Sequence, residues 1–201
     1  MKLYSHFCAF GYSNCYVLGE NNRAVIIDPG SMDTAILNSI EENEYTLAGV
    51  LVTHAHHNHV HGLKTLMRIY NTEIYGISPF IQEFKTIPIR GGETVKIGSM
   101  HIEVIAAPGH SADSAVFRVD RMLFSGDTIS AGLVGKTASI YGSVNQMTAL
   151  RGKILSLPGD YTIFPGHGPP TTLDAERRFN AGINAYEDYK TRRPRFKLEI
   201  E

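Results

Sequence analysis

Short apolar runs recur along the chain, and each stops at a glycine, a proline or a polar residue. Eight of these runs are rich in β-branched or aromatic side chains and predict strands. They are CYVLG (15–19), RAVIIDPG (23–30), TLAGVLVTH (46–54), TEIYGI (72–77), HIEVIAAPG (101–109), SAVFRV (114–119), RMLFSGD (121–127) and YTIFPGHG (161–168). The pattern predicts a fold organised around sheets.

Between these runs, apolar residues recur at spacings of three and four, which predicts amphipathic helices. Two such stripes are Ile36, Leu37 and Ile40, and Leu63, Leu66, Met67 and Tyr70. A third stripe follows Ser143 and Gln146, which stand in the positions of a capping box, and comprises Met147, Leu150, Ile154 and Leu157. Another helix is predicted from Thr172 to about Lys190, and Pro194 ends any extension of it. Strands alternating with helices favour an α/β architecture in which helices cover the sheets.

Composition and charge narrow the class of protein. With 201 residues and 43% apolar side chains, the chain suits one domain, residues 1–201. Nineteen basic and twenty acidic residues leave almost no net charge, so no overall electrostatic field attracts nucleic acid or an anionic membrane surface. We therefore expect a small-molecule substrate. No signal-like or membrane-length apolar run occurs, which favours a cytoplasmic protein; the oligomeric state is not indicated. Cys8 and Cys15 form no CxxC motif and are expected to be reduced core residues.

Candidate chemistry lies where the predicted strands end. His54, His110, Asp127 and His167 each fall at or within a few residues of the end of a different apolar run. In α/β sheets, ligands bind outside the carboxyl ends of strands, so these four side chains are expected to converge at one edge. One histidine alone would more readily be a core residue, but four metal-competent groups in equivalent settings indicate a shared site.

The segment LVTHAHHNHVHG, residues 51–62, holds five of the nine histidines of the chain. His54 and His56 lie two positions apart, so in an extended loop they point to the same side and can hold one ion. His59 lies further along and can reach a second position. Imidazole and carboxylate ligands together suit zinc, and also iron or manganese.

Four segments resemble motifs of the metallo-β-lactamase superfamily, in particular its single-domain hydrolases similar to glyoxalase II. THAHHNHVHG resembles THxHxDHxxG, APGHSADS resembles PGHTxGS, FSGDTI resembles SGDTL, and FPGHGPPTTLDAERRFN resembles PGHGPxTTxxxER. The resemblance implies a four-layer αββα sandwich with a dinuclear metal site. It implies that one ion is held by His54, His56 and His110 and the other by His59 and His167, with Asp127 bridging. His57 and His61 occupy variable positions of the motif.

Asn58 departs from this resemblance, because the family has an aspartate there that binds the second ion and helps orient or deprotonate the metal-bound water. A neutral amide coordinates only weakly and offers the water no proton acceptor. We therefore expect a tightly held first ion and a second site that is weak, partly filled or empty. In the alternative interpretation, Asn58 ligates through its oxygen and both ions bind. Asn58 and Asp127 are the catalytic candidates.

The resemblance implies a Zn²⁺-dependent hydrolase, with one or two ions and with Fe or Mn as alternatives, that uses a metal-activated hydroxide on a small thioester or ester. GKTASIYG loosely resembles a family loop whose Lys and Tyr contact the thiol substrate, so Lys136 and Tyr141 are candidate substrate-binding residues. A second hypothesis is single-iron oxygen chemistry of the persulfide-dioxygenase kind on His54, His110 and Asp127. A third is a metal-binding relative without turnover.

Overall fold

Two six-stranded sheets form the centre of the computed structural model, which describes residues 1–192. The first sheet has the order β1 (Lys2–Cys8), β2 (Ser13–Glu20), β3 (Arg23–Ile27), β4 (Thr46–Leu51), β5 (Ile74–Gly76) and β8 (Ile87–Pro88). The second has the order β16 (Thr171–Thr172), β15 (Thr162–Pro165), β12 (Met122–Gly126), β11 (Ala115–Val119), β10 (Met100–Ala106) and β9 (Thr94–Ile97). Two short hairpins are added, β6 (Phe80–Ile81) with β7 (Phe84–Lys85) and β13 (Ile129–Ser130) with β14 (Leu133–Val134).

The helices lie between strands in the chain and cover the sheets. They are α1 (Thr34–Glu41), α2 (His57–Val60), α3 (Leu63–Ile69), α4 (Ile140–Ala149), α5 (Leu173–Phe179) and α6 (Ala181–Arg192). A π-helical turn, Leu150–Ile154, directly continues α4. Among the residues that the structure describes, no helix is long and apolar enough to cross a membrane.

Alternation along the strands produces three apolar layers. On β3, Ala24 and Ile26 belong to the layer that also contains apolar residues of α1 and α3. Their neighbours Val25 and Ile27 point the other way, into a layer shared with Phe117 of the second sheet. The opposite face of the second sheet packs against α4, α5 and α6. Because both sheets are buried on both faces, the α/β prediction and the αββα arrangement implied by the resemblance are confirmed.

All eight predicted strands are present, and so are helices over the first two apolar stripes. The predicted capping box was wrong. The N-cap of α4 lies one turn earlier, at Ser139, whose side chain accepts a hydrogen bond from the Gly142 N–H at 3.0 Å. Ser143 therefore lies inside the helix, and Gln146 donates to the Thr128 carbonyl rather than closing a cap.

The helix predicted from Thr172 to about Lys190 is divided in two. Asn180 takes extended backbone angles at the end of α5, and its side-chain oxygen accepts from the Ile183 N–H, which caps the start of α6. Pro194, predicted to end this segment, lies outside the described residues. Cys8 and Cys15 are buried free thiols, as the cysteine pattern predicted.

Candidate metal centre

Strand direction brings the candidate side chains to one edge of the sandwich. Strands β3 and β4 are parallel, as are β12 and β15, and β10 runs with β12 because both are antiparallel to β11. The loops after β4, β10, β12 and β15 carry His54, His110, Asp127 and His167 respectively. The structure thus brings together groups that are more than 100 positions apart in the chain.

Three imidazoles form the first close group of the site. One ring nitrogen from each of His54, His56 and His110 lies within 4.8 Å of the others. His56 Nδ1 and His110 Nε2 are 2.9 Å apart. Zinc ligands of one ion are separated by roughly 3 Å, so these nitrogens need only small side-chain rotations to share a divalent ion.

Asp127 occupies the centre of the cluster. Its Oδ2 lies 3.5 Å from Nε2 of both His110 and His167, and 3.9 Å from Nε2 of His54. Its Oδ1 lies 3.3 Å from Nε2 of His59. One carboxylate therefore faces both the first group and a second group, formed by His59 and His167, which is the placement that a bridging ligand requires.

Backbone carbonyls fix the tautomers of two histidines. The Lys136 carbonyl oxygen lies 2.7 Å from His110 Nδ1, and the Tyr12 carbonyl oxygen lies 2.8 Å from His167 Nδ1. A carbonyl only accepts, so each Nδ1 donates its proton, and in the neutral ring each Nε2 directs its lone pair into the cluster. This arrangement is typical of metal-ligating histidines.

Asp28 contacts Thr53 and His59 next to the cluster, and the sequence patterns did not identify it as a site residue. Its carboxylate accepts hydrogen bonds from the Thr53 N–H at 2.7 Å and the Thr53 hydroxyl at 2.6 Å, and it lies 3.2 Å from His59 Nδ1. Asp28 is buried and has φ of 51°, a left-handed conformation that is uncommon outside glycine. It orients both the strand end that carries His54 and the ring of His59.

Burial and charge act oppositely on neighbouring histidines. Burial, aided by His59, lowers the pKa of His54 to about 3 and so favours its neutral, metal-binding form. Burial also lowers the pKa of His59, but the Asp127 and Asp28 carboxylates outweigh it and raise that pKa to about 10. Although burial opposes ionisation of Asp127, its contacts with His59 hold its pKa at about 2.

Buried polar atoms of the cluster fit a cation. Within residues 1–192, no aligned hydrogen-bond partner is present for His54 Nε2, for either ring nitrogen of His59, or for Asp127 Oδ1. Buried polar atoms are otherwise almost always satisfied. Imidazole nitrogens and a carboxylate oxygen are the ligands of zinc, iron or manganese, so the donor set fits such an ion.

Asn58 contacts His167, which is remote from it in the sequence. Its Nδ2 is 2.8 Å from Nε2 of His167. Because Nδ1 of His167 carries the proton, the Asn58 amide donates to the Nε2 lone pair, which is the lone pair that a second ion would need. The structure brings Asn58 to the expected place, where it satisfies His167 without an ion.

The remaining candidates lie at the margin. Lys136 contributes its carbonyl to His110, whereas Tyr141, in the first turn of α4, is 76% exposed. His57 and His61 lie outside the cluster on the surface.

Gly166 is a point where the site tolerates no side chain. A Cβ there would lie 2.4 Å from Asp127 Oδ1 and 2.5 Å from His59 Cε1. We expect Gly166→Ala to lower the free energy of unfolding by about 1–3 kcal/mol, as overpacking does, and to weaken metal binding by displacing Asp127. Chemical denaturation and metal competition would measure both effects. Gly152→Ala, where nothing lies within 4 Å, is the matched control, and equal behaviour of the two variants would contradict this packing.

The fold and the histidine cluster define an αββα protein with a candidate metal centre at the ends of its strands. The chain belongs to the metallo-beta-lactamase superfamily, whose family model matches residues 8–167. An uncharacterised protein of Mycobacterium bovis is 32% identical over 203 residues, covering 83% of this chain and 91% of the relative.

A named relative and a solved structure extend the comparison. A hydroxyacylglutathione hydrolase of Marinomonas sp. is 32% identical over 164 residues, covering 79% of this chain and 62% of the relative. The crystal structure of ETHE1 from Myxococcus xanthus superposes with a TM-score of 0.82 at 23% identity, covering 97% and 93% of the two chains. The latter similarity supports the fold.

Proposed function

We propose that this protein is a metal-dependent hydrolase of small thioesters or esters, with its catalytic ion held by His54, His56 and His110. The observation that carries the proposal is the approach of three imidazole nitrogens to within 4.8 Å of one another beside the Asp127 carboxylate. The hydroxyacylglutathione hydrolase relatives support a thioester as the substrate class. When bound, a divalent ion supplies a Lewis acid and lowers the pKa of a water from about 15.7 towards about 7.

The residues of the chain position and orient the reactants. Asp127 is charged at neutral pH because its pKa is held at about 2, so it can accept a hydrogen bond from an attacking water. The Lys136 carbonyl keeps the lone pair of His110 directed into the cluster. The Lys136 and Tyr141 side chains are proposed to contact the thiol part of the substrate, since Lys136 adjoins His110 and Tyr141 lies five residues further, in the first turn of α4.

We further propose that one ion, not two, performs the reaction in this chain. Asn58 removes a negative charge from the second group and donates its amide hydrogen to His167. A second ion would have to break that hydrogen bond and then gain only a neutral ligand. The second group then acts mainly through its hydrogen bonds, and turnover is slower than with two ions.

Metal content followed by turnover tests the proposal. We expect elemental analysis to find about one zinc per chain, and we expect thioester hydrolysis that chelation abolishes and zinc restores. A folded, purified chain that contains no metal and shows no turnover with added zinc, iron or manganese would overturn it in favour of a binding protein. Two zincs per chain at low free zinc would overturn the single-ion part alone.

Restoring the aspartate tests the role of Asn58. We expect Asn58→Asp to raise the metal content from about one to about two ions per chain and kcat by about tenfold or more, since a second ion would add Lewis-acid stabilisation of the charge that develops in the transition state. Elemental analysis at low free zinc would count the tightly held ions, and kinetics at saturating substrate with added zinc would measure kcat. Asn71→Asp adds the same charge at an exposed position away from the cluster and is the control. An unchanged kcat at saturating zinc would refute the proposed impairment.

Iron-dependent oxygen chemistry is a second candidate, because His54 and His110 converge on the same Asp127 oxygen at 3.9 and 3.5 Å. Two histidines and one carboxylate are the ligands of mononuclear iron oxygenases. One iron per chain with persulfide-dependent oxygen uptake, and no thioester turnover with zinc, would favour this reaction over hydrolysis.

A further inference from the structure

Two histidines outside the metal centre face each other on the protein surface. His57 Nε2 and His61 Nδ1 are 3.2 Å apart, and both residues are exposed. Residues four apart on a helical turn lie on one face, so the backbone of α2 and the residue that follows it places the two rings together. We call these residues the surface histidine pair.

The spacing of the surface histidine pair matches that of two ligands on one ion. Zinc binds imidazole nitrogen at about 2.0–2.1 Å, so two ligands on one ion lie about 2.9 Å apart at a right angle and about 3.3 Å apart at the tetrahedral angle. The observed 3.2 Å lies between these values. Both nitrogens can thus bind one ion with little movement, and exposure allows water to complete the coordination.

Phe10 holds the surface histidine pair in this orientation. Its ring stacks on His61 with centroids 3.9 Å apart and planes 19° from parallel, and it meets the edge of His57 at 5.3 Å. Ring contacts restrict side-chain rotation, so less conformational entropy remains to be lost when an ion binds. The pair is therefore better organised than two free surface histidines.

We propose that His57 and His61 form a separate surface site for a borderline transition-metal cation such as Zn²⁺. The site is independent of the catalytic proposal, because neither residue contributes to the cluster around Asp127. An ion at this site would join the two ends of the helical turn that carries Asn58 and His59. Since α2 spans only four residues and has no side-chain N-cap, an ion at the pair would stabilise this turn.

Zinc counting at increasing free zinc tests the site. Equilibrium dialysis followed by elemental analysis would be performed on the full chain, on His57→Gln and on His61→Gln. The control is His101→Gln, at an exposed histidine of β10. We expect the unsubstituted chain and the control to bind one more zinc per chain than either pair variant, and their melting temperature to rise further as that zinc binds.

Each outcome decides between a metal site and a simple hydrogen bond. Identical binding curves for all four proteins would overturn the proposal and leave the pair as two hydrogen-bonded rings. The tightly bound first ion is counted at low free zinc, so its loss in every protein would instead contradict the proposed catalytic centre. Circular dichroism of each variant would verify that the substituted chains are folded.

Discussion

His110→Ala is expected to remove the bound ion and to lower turnover by about 1,000-fold. The substitution deletes one of the three imidazoles that meet beside Asp127, and two imidazoles hold a divalent ion far less tightly. A metal contributes several kcal/mol to transition-state stabilisation, and about 4 kcal/mol corresponds to a factor of about 1,000 in rate. The measurements are zinc content per chain and kcat/KM for a thioester.

This substitution separates chemistry from stability. The His110 side chain is 12% exposed and follows a strand rather than filling the apolar layers, so the fold should survive its removal. His101→Ala, at an exposed position of β10, is the control for loss of an imidazole. A His110→Ala protein that keeps one zinc per chain and most of its turnover would refute the assignment of the catalytic ion.

Simple rules on strands found most of the site. Ligands bind outside the carboxyl ends of strands in α/β sheets, and this rule predicted that His54, His110, Asp127 and His167 converge. The parallel pairing of β12 with β15 brings Asp127 and His167 to one edge of the second sheet. The spacing within residues 51–62 added His56 and His59, and the resemblance to known motifs implied the bridging position of Asp127. The structure brings His54, His59, His110 and His167 within 3.9 Å of the Asp127 carboxylate.

The spacing of apolar residues did not predict the start of α4 or the shortest strands. The first apolar residues of α4, Ile140, Tyr141 and Val144, are exposed. They do not form the buried stripe that indicates a helix, so the predicted capping residue lay one turn too late. Two-residue strands such as β13 and β14 are shorter than any repeat. Strands of this length depend on pairing partners that are remote in the sequence or on a local turn.

Asp28 was not predicted as a site residue because its local sequence is also typical of a turn. Asp-Pro-Gly is a common turn signature, which explained the residue without any role in the site. Yet Asp28 follows a strand that is parallel to the one before His54, so the rule that located the other ligands applies to it as well. A carboxylate at the end of a buried strand next to a histidine-bearing strand is therefore a candidate for orienting those histidines.

Asp28→Asn is expected to lower the free energy of unfolding by about 3–5 kcal/mol and to weaken metal binding by about 10- to 100-fold. The buried carboxylate accepts two hydrogen bonds from Thr53 and lies 3.2 Å from His59. An amide has the same shape but one acceptor oxygen and no charge. Its NH₂ group must replace either Oδ1, which accepts from the Thr53 N–H, or Oδ2, which accepts from the Thr53 hydroxyl and faces His59, so one of these contacts loses its acceptor.

Two measurements distinguish the structural effect from the effect on the ion. Denaturant unfolding in the presence of a chelator gives the stability of the metal-free chain, and competition with a chelator of known affinity gives metal binding. Asp120→Asn, at an exposed turn position, is the matched control and should change neither. If Asp28→Asn matched that control in both measurements, the carboxylate would not orient His59 and the strand end before His54, and the cluster would owe its geometry to its own ligands.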